Sequence, residues 1–482
     1  MEYDRSKAGF YPRFRKKEVK TQILQIWLTD LRRESRIPAP MRIWLIKAGE
    51  PLPLDPRARM FRTGTLAACL EAAGHEVVWW SSTFAHIQKR HLFPRQTAVS
   101  ITPRYRLHLL HGVAYRKNLS LLRMWNHREE ARAFLRWART EPPPDILLSA
   151  LPTLDFSAAA ARYARERGVP LVVDVRDPWP DMWLDLLPAG TRWLGRLMTA
   201  PAESMARAAC AAAAAITGVS AGFVEWGVRR AGRKKRDTDR CFPHAYPSTP
   251  PSAENLRRAE LFWDERGVRK TEPAFRICFL GRFGFRFDLK TVLDAARILE
   301  AERAPVQFVL CGSDAPRAFP GSALGNVLFP GWVGEAEMWT LLRRSSAGLA
   351  PYRSTPSFEI NLPSKPVEYL SAGLPVLTSL DGDLRKLLEE RGCGVYYPDG
   401  DGEALALKLR DLIQNPDRRE ILSRNARALY RERFVAENVY GEMVRYLEEM
   451  AGARKSELMT VSIPNAVRER RGAEAPVLPP LS

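Results

Sequence analysis

Short apolar runs fit for strands alternate with helix-length stretches along this chain of 482 residues, and the alternation runs through twice. The first series is RIWLIKA (42–48), EVVWWSS (76–82), DILLSALP (145–152), PLVVDVR (170–176) and AAITGVS (214–220), with helices expected at 62–73 and 155–167. A charged, loop-like passage (229–240) and the linker-like YPSTPPSAE (246–254) interrupt it. It restarts with FRICFLGRF, VQFVLCGS, NVLFPGWV, AGLAPYR, PVLTS and CGVYYP, with helices expected at 289–301, 335–344, 383–391 and from 403 onward. Such order argues repeated βα units and parallel sheets. The expected fold class is α/β, as two doubly wound Rossmann-like domains at 41–247 and 255–435. A polar, basic extension (1–40) precedes them, and a tail expected to be disordered (452–482) follows.

The formal charge of +19 points to anionic partners: nucleic acid, an anionic membrane surface or phosphorylated substrates. No zinc-finger, ribonucleoprotein or basic-zipper pattern is present, which disfavours nucleic acid. The six cysteines are scattered without CxxC spacing and read as reduced thiols. With no secretory pattern read at the N-terminus, the expectation is a cytoplasmic protein. No metal-ligand set stands out, no cofactor is expected, and GxGxxG, Walker and nucleophile-elbow patterns are missing.

Local motifs supply the candidate sites. In NLPSKPVEYLSAGLPVLTS (361–379) a short helix is expected at 364–371, with Ser364 as N-cap, Pro366 in the first turn and Gly373 as left-handed stop. Its N-terminus faces out of a sheet crevice, where α/β proteins bind anions. Glu368 reads either as a carboxylate that suits the helix dipole or as an acceptor of hydrogen bonds from a ribose diol. Glu359 and Asn361 lie just upstream, within reach of the same ligand. Lys365 reads as a surface partner of Glu368 or as a further cation at that mouth. At FLGRFGFRFD (279–288) a strand-to-helix turn with Gly281 and Gly284 carries Arg282 and Arg286, able to grip a diphosphate in bidentate fashion. Trp332 and Val333 precede another helix, to flank a base or to pack in the core.

In the first half Arg176, Asp177, Trp179 and Asp181 follow an apolar strand. His86, Lys89, Arg90 and His91 sit at a second strand end, and Arg57, Arg59 and Arg62 lie next to the first strand. These read as a site for a phosphate-bearing acceptor or as a solvated basic rim. Residues 105–109 alternate as a half-buried strand. In the next helix Arg128, Arg132 and Arg136 form a stripe opposite a face of Leu121, Trp125, Leu135 and Ala138. That stripe reads as a solvated face or as a contact with anionic lipid.

Taken in order, FLGRFGFRFDLKTVLDAA, FVLCGSD, NVLFPGWVGEAEMWTLL, AGLAPYR and LPSKPVEYLSAGLPVLTS resemble the donor domain of glycosyltransferase family 4, a retaining GT-B group. GHEVVWWSSTFAH and DVRDPWPD resemble its branch that builds bacterial surface polysaccharides, and NARALYRERFVAENVYGEM resembles its ending. The resemblance implies a GT-B architecture with both domains facing across a cleft and a last helix (436–451) crossing back to the N-terminal domain. It implies metal-independent, retaining transfer of a hexosyl or N-acetylhexosaminyl group from a UDP- or GDP-sugar to a lipid-linked or glycan acceptor at the inner membrane face. Glu368 would bind the ribose, and Arg282, with Gly281, Gly284, Arg286, Lys365 and the N–H groups near Leu362–Ser364, the diphosphate. Glu359, Asn361 and Leu362 would touch the sugar, and Trp332 and Val333 the base. Asp177 would orient the acceptor hydroxyl, with Gly49, Arg59, Arg62, His86 and Arg176 around the acceptor. Two alternatives stand beside this reading: a non-catalytic sugar-nucleotide-binding scaffold, and a GT-B UDP-sugar epimerase.

Overall fold

The computed structural model describes residues 39–54, 59–117, 120–270, 275–312 and 324–461, with side chains to residue 452. Residues 1–38 of the expected extension, 462–482 of the expected tail, and Arg57 lie outside the described residues. The first half holds strands β1 (Arg42–Ile46), β2 (Glu76–Ser82), β3 (Phe84–Ala85), β4 (Arg90–His91), β5 (Thr97–Ser100), β6 (Tyr105–Leu110), β7 (Ile146–Ala150), β8 (Leu171–Val175), β9 (Ala215–Gly218) and β10 (Arg240–Cys241). The second holds β11 (Phe275–Leu280), β12 (Val306–Cys311), β13 (Val327–Gly331), β14 (Ala347–Ala350), β15 (Val376–Thr378) and β16 (Gly394–Tyr396).

They form an eight-stranded sheet in the order β10-β9-β8-β7-β1-β2-β6-β5 and a six-stranded sheet in the order β13-β12-β11-β14-β15-β16. All neighbours run parallel except β5 against β6, and β3 and β4 make a separate antiparallel hairpin. This is a mixed α/β fold of two Rossmann-like domains. Strand order reverses at β1 in one sheet and at β11 in the other, so each domain opens a crevice beyond the C-terminal end of that strand.

The strand period assigns the two faces of each sheet. In β1, Trp44 and Ile46 enter one core cluster and Ile43 and Leu45 enter another. On the first face Trp44 packs against Trp80 (5.0 Å between ring centroids) and Tyr163 (5.1 Å), closed over by the helices Leu121–Ala138 and Leu154–Arg167. On the second, Val439, Tyr440, Met443 and Leu447 of the last helix cover the first domain's sheet. The two domains are joined by adjacent chain crossings: Tyr246 N–H donates to Phe434 O (3.0 Å) and Ala436 N–H donates to Tyr246 O (3.0 Å).

Four local expectations need correction. The Ser364–Ser371 helix begins after Pro363 and has no side-chain cap, so Ser364 is its first residue. β6 is buried on both faces apart from half-buried Arg106, because Tyr105, Leu107 and Leu109 enter one core, Leu110 enters the other, and His108 stacks on Trp137 at 4.3 Å. In the helix Leu121–Ala138 the covered face is Asn126, Glu130, Ala133 and Phe134, whereas Leu121 and Trp125 are exposed. The final helix runs from Ala436 to Val461, past the expected bound at 451. No described helix is long and apolar enough to cross a membrane.

Candidate active site

The donor-side wall is built at the ends of β11 and β14. After Leu280 the chain turns through 281–287, and Asp288 caps the next helix by accepting from Thr291 N–H (3.4 Å). Gly281 lets the Lys365 side chain lie close against the turn: a Cβ on it would be 2.8 Å from Lys365 Nζ and would push the ammonium aside. The Lys365 ammonium sits 5.0 Å above the Phe287 ring. Burial, with Arg59 and Arg286 nearby, lowers its pKa against the pull of Glu368. Glu368, one helical turn on, is buried at 4% exposure. Asn361 is buried just before the helix, and its Oδ1 has no hydrogen-bond partner among the described residues. Because the helix lacks a side-chain cap, its first N–H groups remain available to an anion.

Arg282 and Gly284 are exposed, and Arg282 forms no ion pair or hydrogen bond with a described residue. Its charge reaches across the gap, where it helps to depress the His86 and Lys89 pKa values. Trp332 is 66% exposed, so it stands at the rim and not in the core; Val333 beside it is half-buried. Glu359 accepts from Ser354 Oγ (2.8 Å), and Leu362 is half-buried beside Asn361.

The facing wall is a pocket of about 220 Å³ at the ends of β1, β2, β7 and β8. Lys47, Gly49, Ser82, His86, Tyr115, Arg123, Asn126, His127, Glu130 and Asp177 line it. Gly49 turns the chain after β1 with φ +85, a left-handed value that favours glycine. Burial, then the Arg176 charge, pushes Lys47 down to about 8. Burial and the Lys89, Arg123 and Arg282 charges push His86 down to about 4; burial and Arg123 push His127 down to about 3. Glu130 is buried, accepts from Ser82 Oγ and from Asn126 Nδ2 (2.8 Å), and is pushed up to about 7 by burial. Lys47, Arg123, His127 and Glu130 were not singled out in the sequence. Lys47 lies at a strand end and the other three on one helix whose burial is opposite to its apolar pattern.

Three expected acceptor residues do other work. Arg62 Nε (3.0 Å) and Arg176 Nε (2.7 Å) both donate to Asp174 Oδ2, inside β8. Thr217 Oγ1 donates to Asp174 Oδ1 at 2.9 Å, and Arg176 also pairs with Glu50. Against burial, the Arg62 and Arg176 charges hold the Asp174 carboxyl well below the usual carboxylate range. This network ties β8 to the start of the helix Arg62–Ala72 and presents no free guanidinium pair to an acceptor. Arg59 instead crosses to the other domain, where its Nη2 donates to Glu368 Oε1 at 2.7 Å.

The walls meet at further points. Arg286 Nη1 lies 3.5 Å from Asp177 Oδ1, Ser220 Oγ donates to Ile360 O (2.5 Å), and Ser357 N–H donates to Asp185 Oδ2 (2.8 Å). The fold thus brings Asp177, Arg286, Arg59 and Glu368 to one interdomain gap. Among the described residues no group of three or more His, Cys, Asp or Glu is placed to hold a metal ion.

Residues 61–238 match the family model described as glycosyl transferase 4-like domain, and residues 263–429 match that described as glycosyl transferases group 1. Among solved structures, sucrose-phosphate synthase from Thermosynechococcus elongatus has a TM-score of 0.63 at 17% identity, covering 88% of this chain and 100% of that one. The UDP-forming trehalose-phosphate synthase of Burkholderia xenovorans follows at 0.60 and 14%, over 86% and 100%. Anabaena HepE in complex with UDP-glucose superposes at 0.56 and 15%, over 85% and 100%. At these identities the likeness is one of fold. No curated protein sequence matches the chain.

Proposed function

We propose, for a chain that is a glycosyltransferase of the GT-B type, that it moves a hexosyl or N-acetylhexosaminyl group from a nucleotide-sugar to a lipid-linked or glycan acceptor of the cell surface. The observation that carries this reading is the donor-side mouth: Lys365, one turn before the buried carboxylate of Glu368, and Arg282, exposed on the turn after β11, are cations without an ion pair among the described residues. A nucleoside diphosphate supplies the two groups such a mouth needs, a polyanion and a diol. Glu368 holds the ribose once Arg59 yields its place, while Arg282, Lys365 and the uncapped helix N-terminus hold the diphosphate. Asn361 offers its unpartnered Oδ1 to the sugar, with Glu359 and Leu362 beside it, and Trp332 flanks the base. UDP-glucose in the HepE structure is a donor of this class.

In the transfer, the bond from the anomeric carbon to the phosphate oxygen breaks and its electron pair stays on the nucleoside diphosphate. Arg282 and Lys365 stabilise that charge as it develops, so the step needs neither a metal nor a cofactor. The acceptor oxygen bonds to the anomeric carbon on the same face, giving retention, and its proton passes to the departing phosphate oxygen. Asp177, 3.5 Å from Arg286, orients the acceptor hydroxyl. The exposed Leu121, Leu122 and Trp125 on one helix, and Trp193, Leu197 and Met198 on another, suit a peripheral seat on the inner membrane face, with the Arg128 and Arg132 charges toward anionic lipid. Incubation of the protein with UDP- and GDP-sugars and polyprenyl-linked or oligosaccharide acceptors tests the proposal. Glycosylated product supports it; tight donor binding without product, or donor isomerised without an acceptor, replaces it with the scaffold or the epimerase.

A further inference from the structure

Resting on that donor reading, we infer that Arg59 is an internal occupant of the ribose seat, which a nucleoside diphosphate enters by displacing the guanidinium from Glu368. The ion pair crosses between the domains, with Arg59 Nη2 donating to Glu368 Oε1 at 2.7 Å. A ribose diol needs that same oxygen, because its two hydroxyls donate to both oxygens of one carboxylate. Glu368 Oε2 accepts no hydrogen bond from a described residue, so one half of the seat is free and the other is taken. The Glu368 side chain is only 6% exposed, too little for a pentose to reach it while the guanidinium stays.

The two partners differ in freedom. Glu368 belongs to the helix Ser364–Ser371, whose Val367, Tyr369 and Leu370 are core residues. Arg59 precedes the helix Arg62–Ala72, and its side chain is 32% exposed. Its other close contacts are with neutral groups. Nη1 lies 3.6 Å from Met338 Sδ, and the guanidinium carbon lies 5.3 Å from the centre of the Tyr246 ring. Tyr246 is held by its own backbone bonds to Phe434 and Ala436, so the ring still offers a seat to a cation that has left Glu368. The contacts of Ser220 with Ile360 and of Ser357 with Asp185 involve neither partner, so the arginine can rotate out with the walls still joined.

The pair also has a reason to exist. A buried carboxylate without a counter-charge is costly, and Lys365, one turn earlier, makes no ion pair with Glu368. Arg59 supplies that charge from the facing domain. Nucleotide binding then exchanges a charge-assisted hydrogen bond for two hydroxyl donors and is weakened by what the lost bond was worth. Inorganic pyrophosphate carries the polyanion without the diol, so it has no need of Glu368 and is not subject to this competition.

Calorimetric titration of UDP, GDP and inorganic pyrophosphate into the full chain, Arg59→Met, Glu368→Gln and the double variant tests the inference. The better nucleotide should bind Arg59→Met at least about fivefold more tightly than wild type, and pyrophosphate no more tightly. Beside Glu368→Gln, the Arg59 change should leave nucleotide affinity where it was. Nucleotide affinity unchanged or weakened in Arg59→Met, a gain that persists beside Glu368→Gln, or an equal gain for pyrophosphate overturns the inference. Should Arg59→Met lose its circular dichroism, Arg59→Gln carries the same comparison. Nucleotide bound equally by wild type and Arg59→Met refutes the inference alone. If neither nucleotide binds either protein, the donor reading falls and takes the inference with it.

Discussion

Two clusters of buried charge sit near each other in the N-terminal domain and behave in opposite ways. Around Asp174, two guanidinium groups and a threonine hydroxyl converge on one carboxylate, and Glu50 on Arg176 supplies the second negative charge that balances them inside the sheet. Around Lys47, cations and imidazoles gather beside Asp177, which pairs with Arg286, and Glu130, whose carboxyl burial pushes up to about 7. The first arrangement meets its own charges and ties β8 to the helix Arg62–Ala72. The second leaves Lys47 without an ion pair among the described residues, in a pocket that Asp177 also lines. Counter-charge, more than residue type or position at a strand end, separates a structural arginine from a binding one.

The largest effect that tests this contrast is on stability. Asp174→Asn leaves Arg62 and Arg176 buried without their shared counter-charge and should cost about 3–5 kcal/mol in denaturant unfolding. A loss below about 1 kcal/mol would erase the distinction. Next, Glu368→Gln removes a charged hydrogen-bond acceptor from the donor mouth and should weaken nucleoside diphosphate binding by about 1.5–3 kcal/mol, read by calorimetry. Lys47→Met should have the opposite sign to Asp174→Asn: stability unchanged or raised by roughly 1 kcal/mol in the same unfolding measurement.

The smallest effect is one of pH. Lys47 has its pKa lowered to about 8, chiefly by burial and then by Arg176, so between about pH 8 and 10.5 the unfolded chain holds a proton that the folded chain has released. Stability therefore rises with pH across that window, and Lys47→Met should flatten the rise. Lys89 contributes in the same direction but less, since solvent screens it. An identical slope in wild type and variant would assign the effect elsewhere.

The donor wall was legible because it is local. Gly281 to Asp288 is one strand-to-helix turn and Glu359 to Glu368 one continuous segment, so each could be read locally as a candidate anion or ribose site, and the family resemblance joined the two. The acceptor wall draws on β-strand ends and a helix separated by over a hundred residues, from Lys47 to Asp177, and no local pattern assembles it. Arg62 and Arg176 were misread for the same reason, since each looks like a rim cation until its partner is known. One signal was present: Asp174 within PLVVDVR is a carboxylate in a buried strand, and such a group requires a cation. Helix-face readings failed at Leu121 and Trp125 because the sheet covers the small residues Ala131 and Ala133 instead, leaving larger apolar side chains outside. The exchange of Arg59 onto Glu368 had no signal, because it depends on how the two domains close.

The most direct test of the central claim is a calorimetric titration of UDP and GDP into the wild-type chain, Arg282→Gln, Lys365→Gln and, as control, Arg128→Gln on the exposed stripe. The account predicts saturable binding of one nucleotide, weakened at least about tenfold by Arg282→Gln and by Lys365→Gln and unchanged by Arg128→Gln. Equal affinity in all four proteins, or no binding of either nucleotide, would contradict it.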